Sequence, residues 1–231
     1  MHCIALYHLA FENLGTFAAP LAERGFTITY QHASQPLSPV QWAETDLVVV
    51  LGGPIGVNDI AAYPWLEDEI AGIKLRLQLK RPLLGVCLGA QLMAAALGGD
   101  VGASAAGKEI GWSVLDIAED AGPLARLRGV PVLHWHGDNI RLPADVASLA
   151  SLASLASTPG TPCQAFMVGD HALALQFHVE FEAQALEQWL TGHAVELHHA
   201  GVELQRLREE TQRYGAGLAH AGQAMLRDWL K

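Results

Sequence analysis

The chain has 231 residues, is 51% hydrophobic and 16% charged, and carries a formal net charge of −10. That length and apolar content fit one large α/β domain, or one domain with a small appendage, and exclude global disorder. The acidic balance argues against a nucleic-acid or anionic-membrane surface, because phosphate contacts need clustered Lys and Arg.

The three cysteines, Cys3, Cys87 and Cys163, make neither a disulfide framework nor a CxxC zinc signature, so a reducing compartment is expected. The N-terminal stretch MHCIALYHLAFENLG has no basic leader and too short an apolar run for a signal peptide or membrane span. A cytoplasmic protein is expected. In chain order, residues 3–8 predict a first buried strand, and a helical pattern from about Asn13 stops at Gly25. Residues 26–30 alternate as a strand does. Residues 46–51 (DLVVVL) form a continuous β-branched run, as expected of a parallel strand covered on both faces, and end in Gly52-Gly53-Pro54.

Residues 64–80 predict a long amphipathic helix with Pro at its start, residues 82–86 the next strand, and residues 90–97 a helix closed by Gly98-Gly99. This alternation predicts an α/β fold, with a doubly wound, mostly parallel central sheet and flanking helices. After Gly111 the pattern turns more β, at residues 112–117, 130–136, 164–168 and 172–177. From Glu182 onward it is helical. In the tail, Leu197, Leu204, Leu207, Leu218, Met225, Leu226 and Trp229 are spaced to pack one face onto the domain. The expected division is a domain over residues 1–190 and a C-terminal helical extension over residues 191–231. The repeat ASLASLASLAS (147–157) reads as a duplication in a surface loop rather than a partner-binding segment.

Three stretches carry chemistry. In Gly85-Val86-Cys87-Leu88-Gly89 a cysteine stands between two glycines where a strand gives way to a helix. That is the pattern of a nucleophile elbow, with a helix N-terminus available to stabilise a thiolate; the other reading is a buried packing cysteine. In LQFHVE, His178 and Glu180 stand at i and i+2 near a strand end and project to one side, as a base and its orienting carboxylate would. Gly52-Gly53-Pro54 lies at the carboxyl end of a core strand, where open α/β sheets bind ligands. His134 and His136 form an H-x-H that would be half a metal site, but with no Cys or Asp cluster near it in sequence no metal is expected.

The combination of GGPIGVND (52–59), YPWLEDE (63–69), LLGVCLGAQL (83–92), KEIGW (108–112), WHGD (135–138), QAF (164–166) and LQFHVEF (175–181) resembles the class I (triad) glutamine amidotransferases. It is most similar to their stand-alone, GMP-synthase-like members, and the resemblance covers residues 1–190. It implies a class I amidotransferase-like, flavodoxin-like fold, with Cys87 as nucleophile, His178 as base and Glu180 as its carboxylate partner. Gly53 and Leu88 match the oxyanion-hole residues. Gln91 matches a residue holding the amino-acid end of the substrate, and His136, Gly137 and Asp138 lie where the family also contacts that end. Two departures from the family are Val179, where a proline is usual, and the lengthening repeat.

The implied reaction is hydrolysis of L-glutamine to glutamate and ammonia through a γ-glutamyl thioester, without a cofactor, the ammonia serving a separate acceptor or synthetase subunit. No SGG-VDS nucleotide-binding segment follows the domain, so a fused synthetase is not expected. One alternative is a γ-glutamyl hydrolase acting on a γ-glutamyl amine or peptide; another is a non-catalytic binding domain of the same fold. The loops GGPIGVND and 147–162 are rich in small residues and are expected to be under-ordered without an acceptor, leaving the isolated chain with weak glutaminase activity.

Overall fold

The computed structural model describes residues 1–143 and 153–231. Three short, mostly apolar strands, β1 (His2–Tyr7), β3 (Leu47–Val50) and β4 (Leu83–Val86), lie within the central sheet, and β2 (Thr27–His32), more polar and exposed, forms its edge. Between them run α1 (Ala18–Glu23), α2 (Pro39–Glu44) and α3 (Trp65–Gln78), and α4 (Leu88–Ala96) follows β4. A β-rich section comes next: β5 (Asp100–Ala103), β6 (Glu109–Ser113), β7 (Asp116–Ile117), β8 (Val132–His136), β9 (Asp138–Arg141), β10 (Ser154–Ser157), β11 (Ala165–Val168) and β12 (Ala172–Leu175). The last described elements are α5 (Leu186–Gly192), α6 (Ala194–His199) and α7 (Leu204–Trp229).

The eight-stranded sheet has the order β2-β1-β3-β4-β12-β11-β10-β7. From β2 to β12 the pairings are parallel, and from β12 to β7 antiparallel. β5 pairs with β9 and β6 with β8 in two small antiparallel ribbons. This is the mostly parallel, doubly wound α/β sheet expected from the alternation of elements.

Side chains alternate across the central strands, so one sheet feeds two cores. Cys3, Ala5, Leu47 and Val49 face a cluster with Phe17, Leu21, Leu218 and Met225. Ile4, Leu6, Val48 and Val50 face the other, with Leu66, Ile73, Leu92 and Met93. α1, α5 and α7 therefore cover one face, and α3 and α4 the other. The tail packs through Leu197, Leu207, Leu218, Met225 and Leu226, which are buried; Trp229 is half-buried and Leu204 is exposed. Gly201, at φ +65°, breaks the tail between α6 and α7. None of the described helices is long and apolar enough to cross a membrane.

Three sequence expectations need correction. α2 was not foreseen, although Ser38 and Gln41 cap its start reciprocally and Pro39 opens it. β5 and β9 were likewise missed. The repeat at 147–157 was expected to be surface loop, yet its last four residues are β10, which pairs with both β11 and β7; the part from 147 to 152 lies outside the described residues.

Candidate active site

The turn after β4 places Cys87 at φ +52°, ψ −108°, a left-handed conformation rare for a side-chain-bearing residue. Both flanking glycines are required there. A Cβ on Gly89 would fall inside the carbonyl oxygen of Val50, and one on Gly85 would lie 2.7 Å from the Gly89 carbonyl oxygen. The Cys87 N–H donates to Leu175 O of β12 at 2.7 Å, and its thiol faces Trp135 O at 3.7 Å. The backbone has the shape of a strand-to-helix elbow: the thiol stands at the N-terminus of α4 and lines a cavity of about 570 Å³.

His178 and Glu180 follow β12. The His178 N–H donates to Leu133 O at 2.8 Å, an isolated bridge to β8 that fixes the backbone just past the strand. Its ring Nδ1–H donates to Glu180 Oε1 at 2.7 Å, and both residues are buried. Burial alone would lower the His178 pKa, but the Glu180 carboxylate and the Cys87 sulfur hold it well above the usual histidine value. Glu180 sits behind the imidazole, outside the cavity lining.

At Val179 the rigidity a proline would give comes from elsewhere. Thr16 N–H donates to Glu180 O at 2.8 Å, and α7 closes over Val179 so tightly that a Cβ on Gly222 would lie 2.6 Å from Val179 Cγ2.

Gly53 follows β3, and a Cβ there would lie 2.6 Å from His8 Cβ and 3.3 Å from Leu88 Cδ2, so this loop is wedged between β1's end and the start of α4. His8 is buried and its two ring nitrogens face Gly52 O at 2.9 Å and Glu69 Oε2 at 3.3 Å. Burial opposes protonation, but the Glu69 carboxylate and the Gly52 carbonyl outweigh it and raise the His8 pKa. Gln91, on α4, is buried and donates to Gln176 Oε1 at 3.1 Å. Gln91, His136, Gly137 and Asp138 all line the same cavity as Cys87, Gly53 and His178; Leu88 is buried beside it.

In the GGPIGVND loop, Gly56 N–H donates to Asp59 Oδ2 at 2.7 Å and Asn58 Nδ2 to Val101 O at 2.9 Å.

The H-x-H strand does have a third donor close by, contrary to the sequence reading, and it is Glu109 of KEIGW. Its carboxylate lies 3.4 Å from His136 Nε2 and 3.9 Å from His134 Nδ1. Burial raises the Glu109 pKa, but the His136 and His134 rings and Thr158 pull it down to about 2. Glu109 Oε2 accepts from Thr158, Thr161 and Gln164 at 2.8–3.1 Å, so a cation would have to share a carboxylate already committed to these donors.

Cavity residues the sequence reading did not single out include Glu12, Trp189, His193 and Glu196; Lys108 and Trp135 line it too, from motifs it quoted without giving these two a role. Glu12 follows β1 at the carboxyl edge of the sheet, which was the available signal; His193 and Glu196 come from the tail. A larger cavity, of about 770 Å³, lies between β6 and the α6–α7 turn; the KEIGW stretch lines it, but none of the site residues that the resemblance implies does.

The sequence pattern of the family "Glutamine amidotransferase class-I" matches residues 14–195. The chain belongs to the class I glutamine amidotransferases. The crystal structure of a glutamine amidotransferase from Thermotoga maritima superposes on this amidotransferase with a TM-score of 0.88, at 28% identity, over 100% of this chain and 98% of that one. A glutamine amido transferase from Methylobacillus flagellatus, 24% identical, shares the fold with a TM-score of 0.82 over 99% and 93% of the two chains. Matches to curated relatives are short, spanning 23% and 34% of their lengths. The second of these is one subunit of a glutamine-hydrolyzing GMP synthase from Ignicoccus hospitalis, 39% identical over 69 residues, or 29% of this amidotransferase.

Proposed function

We propose that the chain hydrolyses the side-chain amide of L-glutamine through a γ-glutamyl thioester on Cys87, releasing ammonia for a separate acceptor. The observation that carries the reading is Cys87 held at φ +52° on a cavity wall, in contact with a buried His178 that Glu180 orients. The sulfur attacks the amide carbon as the C–N bond weakens, and His178 delivers the proton that lets ammonia leave. Water activated by the same imidazole then releases glutamate. Gln91, His136, Gly137 and Asp138 hold the amino-acid end.

The N–H groups of Gly53 and Leu88 receive the oxyanion. His8 supports this role for Gly53. It grips the Gly52 carbonyl, and in a trans peptide the N–H of the next residue points the opposite way, toward the cavity.

The relation to one component of a GMP synthase supports a synthetase partner as the ammonia consumer. The tail belongs to the working unit in this reading, since His193 and Glu196 line the cavity beyond residue 190.

The test is ammonia release by the purified chain from L-glutamine, alone and with native cell extract. Turnover that the extract stimulates supports an amidotransferase feeding an acceptor. The second reading is a γ-glutamyl hydrolase, favoured by the extension of the cavity past Cys87 to Glu12 and Glu196. Strong unassisted turnover of a γ-glutamyl amine, with none on glutamine, would establish it instead.

A further inference from the structure

Resting on that thioester chemistry, we infer that Glu12, held by His193, is the subsite for the leaving nitrogen, and that it confines the enzyme to γ-glutamyl amides whose leaving group carries no carboxylate. Glu12 is 4% exposed, yet it lines the cavity. Its Oε1 accepts from His193 Nε2 at 3.1 Å, and its Oε2 has no hydrogen-bond partner among the described residues.

The position of that free oxygen is fixed by Gly52. A Cβ built on Gly52 would overlap Glu12 Oε2 while lying 3.1 Å from His178 Cε1 and 3.4 Å from Cys87 Cβ. The absence of a side chain at Gly52 thus lets an unpartnered carboxylate oxygen sit beside the proton donor's ring and the nucleophile's side chain. The oxyanion donors proposed above, Gly53 and Leu88, belong to the next residue of the loop and to α4. Glu12 therefore flanks the side on which His178 protonates the departing nitrogen.

His193 faces Glu12 with one ring nitrogen and Glu196 Oε2, at 3.6 Å, with the other. Glu196 in turn accepts from Trp135 Nε1 at 3.2 Å and pairs with Lys108. The nearby cation is thus committed to Glu196, and Glu12 Oε2 is left to accept an N–H.

As the C–S bond forms and the C–N bond breaks, the nitrogen keeps its own hydrogens, takes one proton from His178 and leaves as ammonia or a neutral amine. Glu12 accepts one of those N–H groups. A γ-glutamyl amino acid would instead bring its α-carboxylate against Glu12, and the two like charges repel.

The experiment compares kcat/KM for L-glutamine, L-γ-glutamylethylamide and γ-L-glutamylglycine, with mass detection of the thioester on Cys87. In the wild type, the ethylamide is expected to exceed the glycine conjugate by at least about tenfold, the effect of roughly 1.4 kcal/mol of repulsion. Glu12→Gln is expected to shrink that ratio by raising turnover of the glycine conjugate relative to the ethylamide, and Glu12→Asp to retain it. A wild-type ratio near one overturns the subsite whatever the variants do, as does a Glu12→Gln variant that slows all substrates in equal proportion. Thioester formation without preference sinks only this inference. A wild type that forms no thioester with any of the three removes the functional reading beneath it as well.

Discussion

Replacing Gly89 by alanine tests whether the geometry of the Cys87 turn, rather than the thiol alone, sets activity. The added methyl would collide with the Val50 carbonyl oxygen and sit 2.7 Å from its carbon and 3.0 Å from Val50 Cβ. These are atoms of β3, the central strand that leads into Gly52 and Gly53, so no flexible side chain can yield. Either α4 or the end of β3 must move by about 1 Å to restore ordinary contact. Overpacking of this kind costs about 1–3 kcal/mol, which lowers the melting temperature of a chain this size by several degrees. The same displacement separates Cys87 from the Gly53 loop, and a misplacement of about 1 Å costs on the order of 100-fold in turnover. Thermal unfolding and single-turnover thioester formation, read on the same preparation, give both numbers. A Gly89→Ala protein with wild-type melting temperature and turnover would refute the argument.

Three further outcomes follow from the site. A glutamine-mimicking electrophile labels Cys87 and spares the others, because burial pushes the Cys3 thiol up to about 12 and the Cys163 thiol up to about 11; peptide mass mapping decides, and label mainly on Cys3 or Cys163 contradicts the assignment. His178→Ala loses nearly all turnover on whichever γ-glutamyl substrate is active, whereas Glu180→Gln loses less, since the carboxylate orients the base rather than transferring the proton; near-normal thioester turnover in the His178 variant would end the base assignment. The raised pKa of His8 makes its contribution to stability complete below the unfolded-histidine value of about 6.5 and lost as pH climbs through the higher folded value. The stability gap between wild type and His8→Gln, measured by denaturant unfolding, should therefore narrow above that pH, and a gap that widens or stays level would count against it.

The elements legible in the sequence were those whose signal is local. DLVVVL is continuously apolar after Asp46, with three successive valines, because both faces of β3 are buried, and Cys87 was readable because glycines two residues to either side have no other local purpose. β10 was hidden because a three-residue repeat shows no period of two; its pairing with β11 and β7 decides its conformation. The β5–β9 ribbon was hidden for a related reason, its partners being about forty residues apart.

Of the residues proposed for substrate and chemistry, those in recognisable motifs stood out in the sequence. Glu12 and His193 did not, because 181 positions separate two residues whose side chains meet at 3.1 Å. Glu109 was overlooked as a neighbour of His134 and His136 for the same cause: the β6–β8 ribbon, not the order of residues, puts it opposite His136.

The place of β12 in the sheet has a consequence for how the chain comes to be active during synthesis. It lies between β4 and β11, and it is the last sheet strand to be made, so the parallel half cannot be joined to the antiparallel half until the ribosome has passed residue 175. The Cys87 N–H needs Leu175 O as its acceptor, and His178 and Glu180 follow directly behind. A nascent or partly unfolded chain therefore carries Cys87 without its imprinted turn and without its base. In the proposed mechanism the thiol would acquire its chemistry in the same step that closes the sheet, and a chain that has not finished folding would have no means of consuming substrate.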